Sequence, residues 1–229
     1  MLDTCKGKRE PLQMTTIIGI QGDDYSLIVA DSRISDIDRD GGIAQISTLA
    51  TGFNKVASSK QFLIGAAGDL RAINLLHHAF VPSTPPTVTG KKLDAYITVK
   101  FIPELRACFD LHGYSLPERD SSSHVAEQGS TIMCSVNGNI YIIDSDYSWI
   151  VEQSGMYAIG SGGAYALGAL HALAGGKKLE LQQAKRVALK AIAIAAKYDP
   201  CTGAPYSTHT QDTPTSTRQV GKSGTRTTQ

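Results

Sequence analysis

Apolar positions along the chain fall into short blocks whose spacing changes several times. Thr16-Ile17-Ile18-Gly19-Ile20, closed by Gly22-Asp23-Asp24, and the run Ser26 to Ala30 predict two strands joined as a hairpin. Residues 35 to 52 contain Gly and Asp and keep no period, which predicts an irregular surface loop. Strand character returns at Lys55 to Ser58 and Gln61 to Ala66. From Leu70 the spacing shifts to three and four, placing Leu70, Ile73, Leu76, His77 and Phe80 on one helix face. Val81-Pro82-Ser83-Thr84-Pro85-Pro86 ends that helix. A second helix gathers Leu93, Tyr96, Ile97, Phe101, Leu105, Cys108 and Phe109, with Pro103 inside it predicting a kink or a split.

After a polar loop over 115 to 129, Thr131 to Val136 and Asn139 to Ile143 flank Asn137-Gly138. Asn-Gly supplies the two positive φ angles of a type I′ turn, so this is a hairpin. Met156 to Ile159 predicts a further strand, running into Gly160-Ser161-Gly162-Gly163, and two Ala-rich helices follow at about 164–174 and 180–197. From 207 to 229 the chain is Thr, Ser, Gln and Gly with almost nothing to bury, which predicts a disordered tail. Residues 1–14 read as a polar leader. The order of strands, two helices, strands, two helices predicts an α+β fold, with two antiparallel sheets each covered by a helix pair.

Composition adds exclusions. The chain has 229 residues, enough for one well-packed domain, here expected over 15–206. A formal net charge of +1 gives no electrostatic case for nucleic acid or an anionic membrane surface. Cys5, Cys108, Cys134 and Cys201 form no CxxC pair, so neither a zinc site nor a disulfide scaffold is expected, and a reducing compartment suits them. No apolar run has the length of a membrane span, and the first residues lack the apolar core of a secretory signal, so the expected location is the cytoplasm.

Four clusters could carry chemistry, and each has an ordinary structural reading. Thr15-Thr16 opens a strand, where Thr is common for its β-propensity. Asp31-Ser32-Arg33 closes a strand, as solvated turns do. Lys55 opens a strand that leads to Gly65-Ala66-Ala67-Gly68-Asp69 before a helix; a lone Lys is usually a surface charge, but glycine before a helix exposes N–H groups to an incoming anion. Gly160 to Gly163 could cradle a phosphate, yet no Lys-Ser/Thr follows and Tyr165 occupies the third-glycine position, so a nucleotide-binding module is the weakest reading.

Taken in order, the clusters resemble the proteasome β-subunit and HslV-type family with Thr15 as residue one. Thr15 to Ile20 is similar to the family's opening strand, Asp31 and Arg33 to its Asp-x-Arg, and Lys55 with Ala67-Gly68 to its catalytic Lys and oxyanion glycine. Gly160 to Ala166 resembles the HslV-type Gly-Ser-Gly-Gly stretch, and Asp199-Pro200-Cys201-Thr202-Gly203 the family's Asp-x-x-Ser-Gly, with Thr202 in place of Ser. The resemblance runs from about residue 15 to 206. The loop before Lys55 is longer than is usual in the family. Met14 stands where self-processing subunits carry Gly, so translation is expected to begin at Met14, with an aminopeptidase exposing Thr15.

The resemblance implies a four-layer αββα sandwich of the N-terminal nucleophile type and a threonine endopeptidase that needs no metal or cofactor. It implies catalytic roles for Thr15, Asp31, Lys55, Gly68, Ser161, Asp199 and Thr202, and an apolar S1 wall of Ile34, Phe53, Ala57, Ala66 and Leu70. It also implies a homo-oligomer of stacked rings, fed unfolded polypeptide by an ATP-dependent unfoldase, with any leader silencing the enzyme as in a zymogen. Two alternatives stay open: an amidohydrolase of the same fold acting on a small amide, and a catalytically inactive ring subunit.

Overall fold

A computed structural model describes residues 15–37, 42–114 and 128–214; the expected leader over 1–14 lies outside them. Strands β1 (Thr16–Gln21) and β2 (Tyr25–Asp31) form the expected hairpin, followed by β3 (Arg33–Ile37), β4 (Ile43–Thr48), β5 (Val56–Ser59) and β6 (Phe62–Gly68). Helix α1 (Leu70–His78) comes next. Helices α2 (Lys91–Tyr96) and α3 (Ile102–Leu111) are joined without a break by a π-helical turn, Ile97–Phe101. Strands β7 (Ser130–Val136), β8 (Asn139–Ile143), β9 (Trp149–Ile150) and β10 (Met156–Gly160), helices α4 (Gly163–Ala174) and α5 (Leu181–Tyr198), and strand β11 (Tyr206–Asp212) complete the described chain.

The strands form an antiparallel sheet in the order β10-β1-β2-β11, a second in the order β5-β6-β7-β8-β9, and a separate β3-β4 ribbon. Neighbouring residues of one strand serve different cores, as a period of two requires. In β1, Ile18 and Ile20 join Leu27 and Val29 of β2 against α4 and α5, which contribute small residues such as Ala166, Ala188 and Ala191. Ile17, Ile28 and Ala30 point the other way and meet Leu63, Ala67 and Met133 of the second sheet. In β6, Ile64 and Ala66 pack instead with Ile73 and Leu76 of α1 and with Phe101 and Leu105 of the π-turn and α3. Both faces of β1, β2 and β6 are therefore buried, which is why their sequences read as nearly continuous apolar runs.

Local chemistry accounts for the turns. Asn137 and Gly138 take φ of 51° and 75°, the pair a type I′ hairpin needs between β7 and β8. The expected break at Pro103 takes the form of the π-turn: Ile102 N–H bonds to the Ile97 carbonyl five residues back, just ahead of the proline that lacks an N–H.

Two expectations are corrected. The stretch from 35 to 52 is not irregular throughout, since β3 and β4 pair there with Ile34 opposite Ser47 and Ser35 opposite Ile46. The ribbon is mostly exposed along β4, so no buried face imposes alternation on its sequence. Nor is the chain structureless from 207: β11 pairs with β2 along its whole length, Tyr206 opposite Asp31 through Asp212 opposite Tyr25. Its alternation is carried by Ser207, His209 and Gln211, polar residues that a count of apolar positions passes over. Gln211 ties the strand down through Ser135 Oγ at 3.1 Å, the Gly138 N–H at 2.9 Å and the Gln61 carbonyl at 2.6 Å. Residues 215–229 of the expected tail lie outside the described residues.

Ile17 is fully buried between the sheets. Ile17→Ala is expected to lower the unfolding free energy by about 2–5 kcal/mol, read as a lower urea midpoint at unchanged slope.

Candidate active site

Thr15 and Thr16 enter β1 buried, at 1% and 0% exposure. Thr16 pairs with Gly160 across the β1–β10 ladder. Glycine is required there: its φ is +93°, and a Cβ would lie 1.8 Å from the Thr15 carbonyl oxygen and 3.4 Å from Ala67 Cβ. The start of β1 and the end of β10 thus meet beside Ala67 of β6, the residue that precedes Gly68.

Beneath that point lies Asp31, the last residue of β2, fully buried. Its Oδ1 accepts the Thr16 N–H at 3.0 Å and the Lys55 ammonium at 2.7 Å. Its Oδ2 accepts the Arg33 N–H at 3.0 Å and the Gly203 N–H at 3.1 Å. Four donors from four segments saturate one carboxylate. Lys55, also fully buried, donates further to the Arg33 carbonyl at 2.6 Å. Burial pushes the ammonium below its ordinary pKa, and the Asp31 charge and hydrogen bond oppose that shift. The Arg33 side chain lies over Gly203, where a Cβ would come within 2.4 Å of its Nε, and donates to the Pro200 carbonyl at 2.8 Å.

A second network flanks the first. Asp199 Oδ2 accepts the Ser161 hydroxyl at 2.8 Å and, through a short contact, the Thr202 hydroxyl; Oδ1 accepts the Cys201 N–H at 3.2 Å, forming an Asx turn. Thr202 Oγ1 stands 2.6 Å from Thr16 Oγ1. Because Thr202 spends its proton on a carboxylate that only accepts, Thr16 is the donor in that pair. The order is therefore Thr16 to Thr202 to Asp199. Gly162 completes the packing: a Cβ there would sit 2.3 Å from Thr16 Oγ1 and 2.7 Å from Thr202 Oγ1. Burial raises the pKa of the neighbouring Cys201 thiol.

The structure brings Asp31, Lys55, Ser161, Asp199 and Thr202 into two linked networks around Thr15 and Thr16. Ser161 is solvent-exposed and reaches Thr15 through its carbonyl oxygen at 3.5 Å. The expected S1 residues divide. Ala57 and Ala66 belong to the core under α1, with Phe53 packed against it and 4.9 Å from the His77 ring. Ile34 on β3 and Leu70 at the start of α1 lie outside that core, half-buried and 36% exposed respectively. Thr16 is the member to which the sequence assigns no role apart from Thr15; its sole signal is that it doubles Thr15. Two surface clefts of about 260 and 400 Å³, at the β5–β11 edge and by the α4–α5 turn, contain none of these residues. Among the described residues no cluster of His, Cys, Asp and Glu is arranged to hold a metal ion, and no helix is long and apolar enough to cross a membrane.

No family model and no curated protein matches this sequence. Solved structures do match its fold. BPH from Thiobacillus denitrificans in complex with epoxomicin aligns with a TM-score of 0.64 at 16% identity, covering 87% of this chain and 99% of that one. BPH alone gives 0.63 at 17% identity over 88% and 100%. HslV from Trypanosoma brucei gives 0.54 at 21% identity over 86% and 99%. The chain thus shares a fold with BPH and HslV, a mixed one of antiparallel sheets and helices.

Lys55→Met would leave the Asp31 carboxylate buried without its cation. The expected cost is about 3–5 kcal/mol of stability, measured by chemical denaturation against wild type.

Proposed function

We infer that this chain is a threonine-type endopeptidase of the proteasome β-subunit and HslV family, acting through Thr15 once Thr15 is the first residue. The observation that carries the reading is the Asp31 carboxylate, which ties a buried Lys55 to the backbone of the residue next to Thr15. A lysine and an aspartate held fully out of water are costly to a fold. Their placement beside a threonine at a strand start suits a nucleophile that needs a nearby positive charge. The three apolar clusters, one between the sheets and one under each helix group, support the four-layer αββα sandwich of N-terminal nucleophile enzymes.

In this mechanism the Met14–Thr15 bond is cleaved first, because a threonine hydroxyl is a weak nucleophile and the free α-amine is its base. Thr15 Oγ attacks the substrate carbonyl carbon while its proton passes to the amine. Lys55 favours the unprotonated amine through its charge, and Asp31 holds Lys55 in place. The Gly68 N–H donates to the oxyanion. The C–N bond then breaks and the departing amine takes the proton from the Thr15 ammonium. An ester on Thr15 Oγ remains, and water hydrolyses it to a carboxylic acid and free Thr15. Ser161, Asp199 and Thr202 fix the backbone and hydroxyls around the amine. By resemblance the chain assembles into stacked rings in the cytoplasm and receives unfolded polypeptide from an ATP-dependent unfoldase.

The test is intact mass and N-terminal sequencing of the purified protein, with turnover of a fluorogenic peptide. A chain starting at Thr15 that cleaves, with Thr15→Ala losing all turnover, supports the reading. A Thr15 N-terminus without turnover favours an inactive ring subunit or a small-amide substrate. Activity is expected to rise with pH through the amine pKa, at or below its ordinary value of about 7.7–8.0. Apolar Ile34, Phe53, Ala57, Ala66 and Leu70 favour a hydrophobic residue before the cut. Peptides ending in Leu or Tyr should therefore be turned over faster than those ending in Arg or Glu, and the reverse order would refute that wall.

A further inference from the structure

Gly68 ends β6 with a φ of +133°, a conformation open to glycine that nothing in the residue itself holds in one orientation. A Cβ there would lie 2.6 Å from the Gly129 carbonyl oxygen and 2.8 Å from Ser130 Oγ, so β7 presses directly on this backbone. The next peptide is pinned from both ends. Asp69 caps α1, its Oδ1 accepting the Arg71 N–H at 2.8 Å, while its own N–H donates to Ser130 Oγ at 3.1 Å. Ser130 is 2% exposed, and its Oγ lies 2.8 Å from the Tyr114 hydroxyl. Its N–H donates to Gln128 Oε1 at 2.8 Å, and Gln128 Nε2 returns a short bond to the Ser130 carbonyl.

One end of the relay has a fixed direction, while Tyr114 and Ser130 can exchange donor and acceptor roles. The Asp69 N–H can only donate, so Ser130 Oγ is an acceptor there. Burial raises the Tyr114 phenol to about 12, so it keeps its proton at neutral pH and is available to donate to the same oxygen. The Tyr114 ring is itself fixed, edge-on to Phe109 at 4.9 Å. A buried tyrosine anchored on α3 thus reaches, through one serine, the peptide that follows the oxyanion glycine.

We propose that Ser130 and Tyr114 are positioning residues of the reaction, a two-hydroxyl strut that holds the Gly68 backbone with its N–H aimed at the oxyanion. This rests on the proteolytic reading of the site. Neither residue touches substrate. Both act through Gly68, at a donor whose outright loss typically costs about 10²–10³ in kcat.

The test compares Tyr114→Phe and Ser130→Ala with wild type on one fluorogenic peptide. Each variant is expected to lower kcat roughly 10- to 100-fold with KM changed less than about threefold, because a misplaced donor is felt in the transition state. A peptide aldehyde, whose carbonyl adds Thr15 Oγ to give a tetrahedral hemiacetal, should lose affinity by the same factor. The corresponding peptide alcohol, which forms no such adduct, should bind unchanged. Tyr96→Phe serves as control: it deletes a tyrosine hydroxyl bond of similar length, to the Ser83 carbonyl at 2.7 Å, away from the site. Unchanged kcat in Tyr114→Phe and Ser130→Ala, or equal losses in Tyr96→Phe, overturns the strut while leaving the protease reading intact. A mature wild type with no turnover on any peptide overturns both. Tyr114→Phe keeps the packed ring, so a Ser130→Ala chain that failed to fold would not remove the test.

Discussion

One carboxylate organises this molecule. Asp31 receives hydrogen bonds from the first residue of β1, from the backbone just past its own strand, from a lysine just before β5 and from the loop after α5. Three of these donors lie 15, 24 and 172 positions from Asp31, and only the Arg33 N–H is local. Burying the charge without them would be very costly. The fold and the site are therefore not separable: the interaction that makes the aspartate tolerable also brings Lys55 under Thr16 and Gly203 against Arg33. The second carboxylate, Asp199, works on a smaller scale, collecting three donors and tying Ser161 to Thr202.

Close packing sets the other constraint. Gly160, Gly162 and Gly203 each lie where a side chain would collide with a backbone carbonyl, a pair of threonine hydroxyls or a guanidinium. In isolation a Gly-Ser-Gly-Gly stretch resembles a phosphate cradle. Here the room at Gly160 and Gly162 is taken up by the chain itself, by the Thr15 carbonyl and by Thr16 with Thr202, and none is left open for a ligand.

The fold was legible wherever one physical signal dominated. The Asn137-Gly138 hairpin, the helix face of α1, and the buried runs of β1, β2 and β6 all follow from turn chemistry or apolar spacing. The β3–β4 ribbon and β11 were not legible, and for related reasons. The ribbon buries little of β4, while β11 turns serine, histidine and glutamine inward. In the site, the polar residues were readable as a set through their order along the chain. Their geometry was not. Nothing in the spacing of Thr15, Thr16 and Thr202 reveals that the second threonine donates to the third, since 186 positions separate them. The role suggested for Ser130 and Tyr114 was equally hidden, because both fall between the segments that apolar spacing marks out.

That separation of 186 positions bears on timing. The chain is made from its N-terminus, so Thr15 leaves the ribosome long before Asp199, Thr202 and Gly203 exist. Until they arrive, Asp31 lacks one of its four donors, Thr16 lacks its hydroxyl partner, and β2 has an open edge where β11 will lie. Closing so long a loop is slow compared with forming the first hairpin. The surroundings of Thr15 are consequently completed only after residues 199 to 203 have been made, and a chain cut short before them carries the threonine without the site.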